Sequence, residues 1–279
     1  HLPGANFRAM AFLDPETVVA AGRGRERLYR RLLAASSLFG ELVTGAELTG
    51  RVQTCDATSY AVSTPVDVTS VRVGEAAFAI DPLSSCGVQT AIQTGLAAAA
   101  AIHSILTPDG DTPAALRYYT DHQHYSVQRH AASAAGLYAE HRAHADALFW
   151  RRRGAGAPPA PSPSAGGVPL ADLLPLRVRL PPAAAILDTP CLLGDRIELR
   201  RALAHPALDR PVAFLGDVEL APLLDQLPIA PSLAEALRTW ERSLPAGRAL
   251  MIASWLHQRG LLEIVRCRIV ADSDDERRS

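Results

Sequence analysis

An α/β chain joined to a smaller α+β module is what this sequence predicts, and three observations carry the prediction. Its 279 residues are 48% hydrophobic and 20% charged, enough for one large packed core or two modest ones. Along residues 1–153, short β-branched or aromatic segments alternate with long stretches of helical period. A run without any apolar period, GAGAPPAPSPSAGG from Gly154 to Gly167, then sets this part off from residues 170–279, so 154–169 is expected to be a flexible linker and the domain boundary.

Taken in order, Phe7 to Leu13 (FRAMAFL) reads as a strand. Asp14-Pro15-Glu16 reads as a helix start, with proline at the first helical position. Arg25 to Val43 reads as one amphipathic helix, because Leu28, Leu32, Leu33, Leu38 and Leu42 recur at roughly helical spacing. Glu47 to Asp67 lacks that period and is expected to be extended, and Val71 to Val73 is a short strand running into Gly74-Glu75-Ala76-Ala77. Gly87 to Leu106 is a long helix whose small residues, Ala91, Gly95, Ala98 and Ala99, let its backbone lie close to a neighbour. A second long helix is expected from Pro113 to about Arg152. Beyond the linker, turns are marked by Leu180-Pro181-Pro182, Leu193-Gly194-Asp195 and Leu215-Gly216-Asp217. Helices follow at Leu233 to Arg242 and Ala246 to Gly260, then a strand-like LLEIVRCRIV, an order that resembles the end of a winged-helix module. The polar tail from Asp272 to Ser279 is expected to fray.

Composition excludes several functions. A net charge of -1 gives no global field for phosphate backbones or anionic membranes, so no nucleic-acid or membrane partner is expected. No lysine occurs, which removes a Schiff-base lysine, a pyridoxal-phosphate site and a P-loop lysine from this chain. Cys55, Cys86, Cys191 and Cys267 stand far apart without a CxxC, pointing to a reducing, cytoplasmic setting rather than to a zinc ribbon or a disulfide framework. Of His122, His124, His130, His141 and His144, the last two share a helical face at i, i+3, but no carboxylate at matching spacing completes a site, so no metal is expected. The chain opens on His1 with neither a signal peptide nor a methionine, and a piece of a longer polypeptide is expected.

The informative run is Val73-Gly74-Glu75-Ala76-Ala77-Phe78-Ala79-Ile80-Asp81-Pro82-Leu83-Ser84-Ser85-Cys86-Gly87-Val88-Gln89. A strand delivers a glycine and an acid, an Asp-Pro turn follows, and a loop of small residues opens a long helix. The first N–H groups of a helix have no intrahelical acceptor, and its dipole is positive there, so an anion or electron-rich carbonyl is stabilised at such a start. Cys86 at that start is also a candidate nucleophile, although a small structural filler is the favoured reading.

This run resembles the second flavin motif, Gly-Asp/Asn/Glu-Ala…Asp-Pro-Leu…Gly-Val, of the FAD-dependent monooxygenases of the hydroxybenzoate hydroxylase and flavin-dependent halogenase superfamily. The resemblance covers residues 7–153, with the Phe12-Leu13-Asp14 strand and Cys55 to Tyr60 similar to the end of the family's substrate-side sheet and His141-Arg142 with Phe149 to Arg153 similar to its closing helix. It implies that Gly74 and Glu75 approach the ribityl and phosphate part of FAD and that Asp81 and Pro82 pass beside the isoalloxazine. It further implies that Ser85, Cys86, Gly87 and Val88 offer backbone N–H groups to the pyrimidine end. Ser84 stands in the same loop, where tryptophan halogenases carry a glutamate.

The family's amino-terminal GxGxxG fingerprint is absent, Gly22-Arg23-Gly24 having no third glycine in place. The fold implied is therefore an incomplete FAD-binding monooxygenase fold, the carboxyl-terminal portion of a longer enzyme, and no catalytic residue is named. The form Asp-Pro-Leu-Ser-Ser-x-Gly-Val looks most like the flavoproteins that accompany lysine-oxidase-like and quinohemoprotein amine dehydrogenase-like quinoproteins. The function this implies is hydroxylation of an aromatic substrate, either a small molecule or a Trp or Tyr side chain of a partner protein. Reduced nicotinamide, or reduced flavin from a flavin reductase, would supply electrons and molecular oxygen would be the co-substrate. The alternatives are a flavin-dependent halogenase and a non-catalytic binding fragment.

Overall fold

The computed structural model describes residues 7–141, 146–157 and 168–265. The chain divides into two compact units, one made of His1–Val62, Gly74–Ala91 and Val127–Pro158, the other of Ser63–Val73, Ile92–Ser126 and Pro159–Ser279. Helix and sheet are mixed, and the strands among the described residues form four antiparallel pairs.

In the first unit α1 spans Pro15–Ala21, starting on the proline as its sequence predicts. The expected strand Phe7 to Leu13 does not form, since a strand needs a ladder partner and residues 7–14 have no regular structure. Instead the Tyr29 hydroxyl donates to the Ala9 carbonyl at 2.8 Å. The helix expected from Arg25 to Val43 is broken into α2, Arg25–Ala34, and α3, Gly40–Val43. Ser36 breaks it, its Oγ accepting from the N–H of Leu38 at 3.2 Å and of Phe39 at 3.3 Å. A serine that satisfies nearby backbone in this way competes with the helix. Strand β1, Tyr60–Ala61, pairs with β2, Phe78–Ala79, the only ladder that the extended stretch from Glu47 yields among the described residues. The segment Val71 to Val73 is reduced to a single bridge between Val66 and Val71 in the second unit.

Helix α4, Gly87–Leu106, has the bounds its sequence predicts, and α5 runs from Thr112 to Glu140. The second helix stops there rather than at Arg152, and the chain resumes as α6, Leu148–Gly154, after an extended Ala147. The close approach of α6 to the end of α5 depends on Gly154, where a Cβ would lie 3.1 Å from the Ala139 backbone.

In the second unit the buried alanines 97, 98 and 101 of α4 share a core with Ala114, Ala115 and Tyr119 of α5, together with Val66 and Ile197. Strand β3 is Val178–Arg179; β4, Ala185–Leu193, and β5, Arg196–Ala204, form a hairpin closed by Gly194-Asp195, with Pro190 opposite Leu199. Arg117 Nη1 donates to the Asp188 carbonyl at 3.0 Å, and the buried Ser104 Oγ accepts the Ile197 N–H at 2.8 Å. A short ladder, β6 (Phe214–Leu215) with β7 (Val218–Glu219), turns at Gly216-Asp217. Around it pack α7 (Leu170–Leu173), α8 (Ala221–Leu224), α9 (Leu233–Glu241) and α10 (Arg248–Gln258), burying Leu220, Leu233, Ile252, Leu256 and, completely, Trp240. Helix α9 is opened by Ser232, whose Oγ accepts the Glu235 N–H. The terminal strand is shorter than its sequence suggests: β8 is Glu263–Ile264, paired with β3, and 266–279 lies outside the described residues, as do Cys267 and the tail. Residues 158–167 of the expected linker lie outside them too.

Candidate functional site

The run singled out from the sequence folds as two turns around β2. Gly74–Ala76 is a single 3-10 turn, entered at a Gly74 φ of 54°, a left-handed conformation that suits glycine. A Cβ on Gly74 would stand 3.1 Å from the Ala91 Cβ of α4, so this glycine brings the turn against the helix. Glu75 is exposed, and its carbonyl accepts the Tyr60 hydroxyl. Ala77 and Phe78 are buried and anchor β2, with the Val62 N–H donating to the Ala77 carbonyl at 2.9 Å.

After β2, Asp81 caps a second 3-10 turn, Pro82–Ser84, its Oδ1 accepting the Leu83 N–H at 2.9 Å. The Ser84 hydroxyl donates to the Asp81 carbonyl at 3.1 Å. Ser85 closes the turn in the left-handed region at φ 53°, and it is the sole non-glycine with positive φ among the described residues. Such a conformation persists where the surroundings over-determine it. The loop consumes part of its own donor set: the Ser85 N–H bonds the Pro82 carbonyl at 3.1 Å, and the Cys86 N–H reaches Ser84 Oγ at 3.4 Å. Helix α4 then begins, with the Thr90 N–H the first to find a main-chain acceptor, the Cys86 carbonyl at 2.9 Å. The N–H groups of Gly87, Val88 and Gln89 precede that bond and belong to exposed residues. Gly87 adds room, because a Cβ there meets nothing within 4 Å.

Thus Asp81, Pro82, Ser84, Ser85, Cys86, Gly87 and Val88 form one contiguous loop and helix start, with Gly74 held against the first part of the same helix, while Glu75 points its exposed side chain from the neighbouring turn. The half-buried Cys86 thiol lies 3.1 Å from the Ser84 carbonyl.

Sequence reasoning missed what holds the loop from behind. The Tyr138 hydroxyl, on α5, lies 3.2 Å from Oδ1 and 3.1 Å from Oδ2 of Asp81. Its ring is buried and packs edge-on to Phe149 at 6.0 Å and tilted against Trp150 at 5.7 Å. The Arg153 guanidinium lies over the Phe149 ring at 3.8 Å and bonds Asp14 at 2.7 Å. Burial first, then the neighbouring Asp81 charge and its hydrogen bond, push the Tyr138 hydroxyl up to about 12, so it stays protonated and donates. The aromatic-arginine string Phe149 to Arg153 was the signal in the sequence, but nothing in it points to Asp81.

The histidines have ordinary duties. His130 Nε2 lies 3.1 Å from Thr90 Oγ1, and its pKa is lowered by burial and then by Arg129. His122 stacks on Tyr118 at 6.1 Å; burial and then Arg210 lower its pKa. His141 stacks on Trp150 at 3.9 Å, His124 is exposed, and His144 lies outside the described residues. Among the described residues no group of three or more His, Cys, Asp or Glu side chains is placed to hold a metal ion, and no helix is long and apolar enough to cross a membrane.

No family model matches the chain. A tryptophan 2-halogenase of Chondromyces crocatus is 33% identical over 126 residues, which make up 45% of this chain and 24% of that protein. Two solved structures share the fold. QhpG, a peptidyl tryptophan dihydroxylase essential for tryptophylquinone cofactor biogenesis, matches with a TM-score of 0.62 and 21% identity over 90% of this chain and 53% of its own. CmlS, a flavin-dependent halogenase, matches with a TM-score of 0.61 and 19% identity over 91% and 56%. The chain therefore spans a quarter of the relative and little more than half of either structure. It has the fold of that part of the flavin-dependent halogenases and monooxygenases, and to that superfamily its sequence and structure are similar.

Proposed function

We propose that this chain is the flavin-facing and substrate-side part of an FAD-dependent monooxygenase that hydroxylates an aromatic ring. The observation that carries the reading is the start of α4. Three consecutive N–H groups, of Gly87, Val88 and Gln89, stand ahead of the first main-chain acceptor bond, at the positive end of a 20-residue helix, beside a glycine with nothing over it. These residues fit a flavin's electron-rich pyrimidine edge, and the helix dipole favours an anionic ring. When bound, FAD would supply the activation of oxygen, with electrons from reduced nicotinamide or from a flavin reductase. This chain's own part is to bind and orient. Gly74 and Glu75 would face the ribityl and phosphate portion. Asp81, Pro82 and Ser84 shape the turn beside the ring, and Gly87 and Val88 donate. Ser85 and Cys86, whose N–H groups are engaged inside the loop, would donate only after giving up those bonds.

QhpG acts on a tryptophan within a protein, which favours a Trp or Tyr side chain of a partner protein as substrate over a small aromatic molecule. The module from residue 170 onward, read as winged-helix-like, would be the docking element for such a partner, in the cytoplasm. The second reading is a halogenase, favoured by the likeness to tryptophan 2-halogenase and CmlS. Against its tryptophan type stands Ser84, which cannot act as the carboxylate those enzymes carry there. The test is to titrate the natural full-length gene product with FAD and then to supply reductant, oxygen, halide and a tryptophan-containing peptide. Flavin binding and a product heavier by oxygen are expected. A halogen isotope pattern would turn the reading to the second, and absence of flavin binding would leave a binding protein.

A further inference from the structure

We propose that Tyr138 is the positioning residue of the 81–88 loop. Its hydroxyl holds the Asp81 carboxylate, so that the Pro82–Ser84 turn and the start of α4 keep one arrangement; the inference deepens the flavin-facing reading above and rests on it.

Asp81 is the knot of the loop. Its Oδ1 takes the Leu83 N–H, its main-chain carbonyl takes the Ser84 hydroxyl, and both carboxylate oxygens lie within 3.2 Å of the Tyr138 hydroxyl. Tyr138 reaches the loop from outside it, through a side-chain hydrogen bond to Asp81. The two residues are 57 positions apart, so this bond ties the turn to the body of α5 rather than to its own neighbours. The tie is stiff. The Tyr138 ring is 7% exposed and is flanked by Phe149 and Trp150, and α6 is itself pinned by the Arg153 to Asp14 ion pair. The contact is part-buried and shared between the two carboxylate oxygens; the charge of its acceptor favours it, and aromatic packing removes the ring's freedom to relax. Further along the same loop stands Ser85, in a conformation that local preference does not favour. Without the hydroxyl, Asp81 would keep only hydrogen bonds made inside the loop, and the turn that sets Ser85, Cys86 and the first N–H groups of α4 would lose its side-chain hydrogen bond to α5.

Cys86 reports on this directly, because its half-buried thiol packs on the Ser84 carbonyl at 3.1 Å. The experiment is residue-resolved alkylation of the chain with iodoacetamide, read by mass spectrometry, in wild type and Tyr138→Phe, which keeps the ring and removes the hydroxyl. The expected result is an alkylation rate at Cys86 faster by about threefold to tenfold, the range of one lost hydrogen bond, with Cys55 and Cys191 unchanged. Tyr138→Phe placed on Asp81→Ala should add nothing, since the contact is already gone. Tyr29→Phe, which removes a hydroxyl bonded elsewhere, to Ala9, should leave Cys86 at the wild-type rate. An unchanged Cys86 rate in Tyr138→Phe overturns the proposal. So does an equal rise at the half-buried Cys191, for Tyr138 would then be holding the fold and not the loop. FAD titration of the natural full-length gene product separates the two readings. A full-length wild-type protein without affinity for FAD would sink the flavin assignment, while the alkylation rates would still decide the role of Tyr138.

Discussion

Replacing Gly74 by alanine is the sharpest single perturbation of the turn that leads into the loop. At a φ of 54° an L side chain crowds its own carbonyl, a penalty of about 1–2 kcal/mol. The new methyl would also sit 3.1 Å from the Ala91 Cβ, which adds about 0.5 kcal/mol as the helix gives by a few tenths of an ångström. Loss of glycine's freedom in the unfolded chain returns about 0.4–1 kcal/mol. The expected net loss is about 0.5–2 kcal/mol, a sizeable fraction of the stability of a small domain. Urea unfolding followed by circular dichroism should show a lower midpoint at an unchanged slope. The two causes separate in a double-mutant cycle: Ala91→Gly should relieve the contact of the new methyl but not its backbone strain, giving a coupling of about 0.5 kcal/mol. A Gly74→Ala protein that unfolds at the wild-type midpoint would refute the argument from φ and contact together.

Three other perturbations follow from the same geometry. Gly87→Leu should leave thermal stability unchanged, since nothing stands within 4 Å of that position, yet weaken FAD binding by about tenfold or more; an equally yellow variant of equal affinity would remove the motif assignment. Ser104→Ala should destabilise the chain by about 1–3 kcal/mol, because the buried Ile197 N–H loses its acceptor, and amide hydrogen exchange at Ile197 should accelerate; unchanged protection would contradict the bond. Stability should decline with acid below the ordinary histidine value of 6.5. His122 and His130 bind protons less readily folded than unfolded, so the unfolded chain takes them up first, and the loss continues until pH falls through the lowered folded values. A His122→Gln and His130→Gln double variant should flatten that slope in thermal melts between pH 7 and 5, and an undiminished slope would assign it elsewhere.

Much of the loop was legible because its information is local. The glycine-acid, Asp-Pro and small-residue pattern specifies turns and a helix start, and α4 has both ends where composition placed them, whereas the strand expected at Val71 to Val73 is only a bridge. Turns at Gly194-Asp195 and Gly216-Asp217 were equally readable, since each needs a glycine with positive φ. The nine-residue strands between and around them were not. Pro190 breaks the sequence pattern of β4, and the charges of β5 mask its period, so pairing alone reveals the hairpin. The failure at Phe7 to Leu13 has the opposite cause: strand composition without a partner. Tyr138 was invisible because its meaning lies in Asp81, and no spacing rule links positions so distant.

The β4–β5 hairpin has a consequence for how the chain behaves in crowded solution. A two-stranded ribbon offers unpaired backbone along its flanks, the usual invitation to fibre formation. Here Pro190, which has no N–H to give, removes one donor from the flank that faces away from β5, and Arg117 already occupies the Asp188 carbonyl nearby. Arg200 pairs with Glu198 and Arg201 with Asp225, so long, ion-paired side chains line the ribbon. A second copy approaching that flank edge to edge would meet a missing donor and a taken acceptor, so this flank of the ribbon is protected against templating its own aggregation.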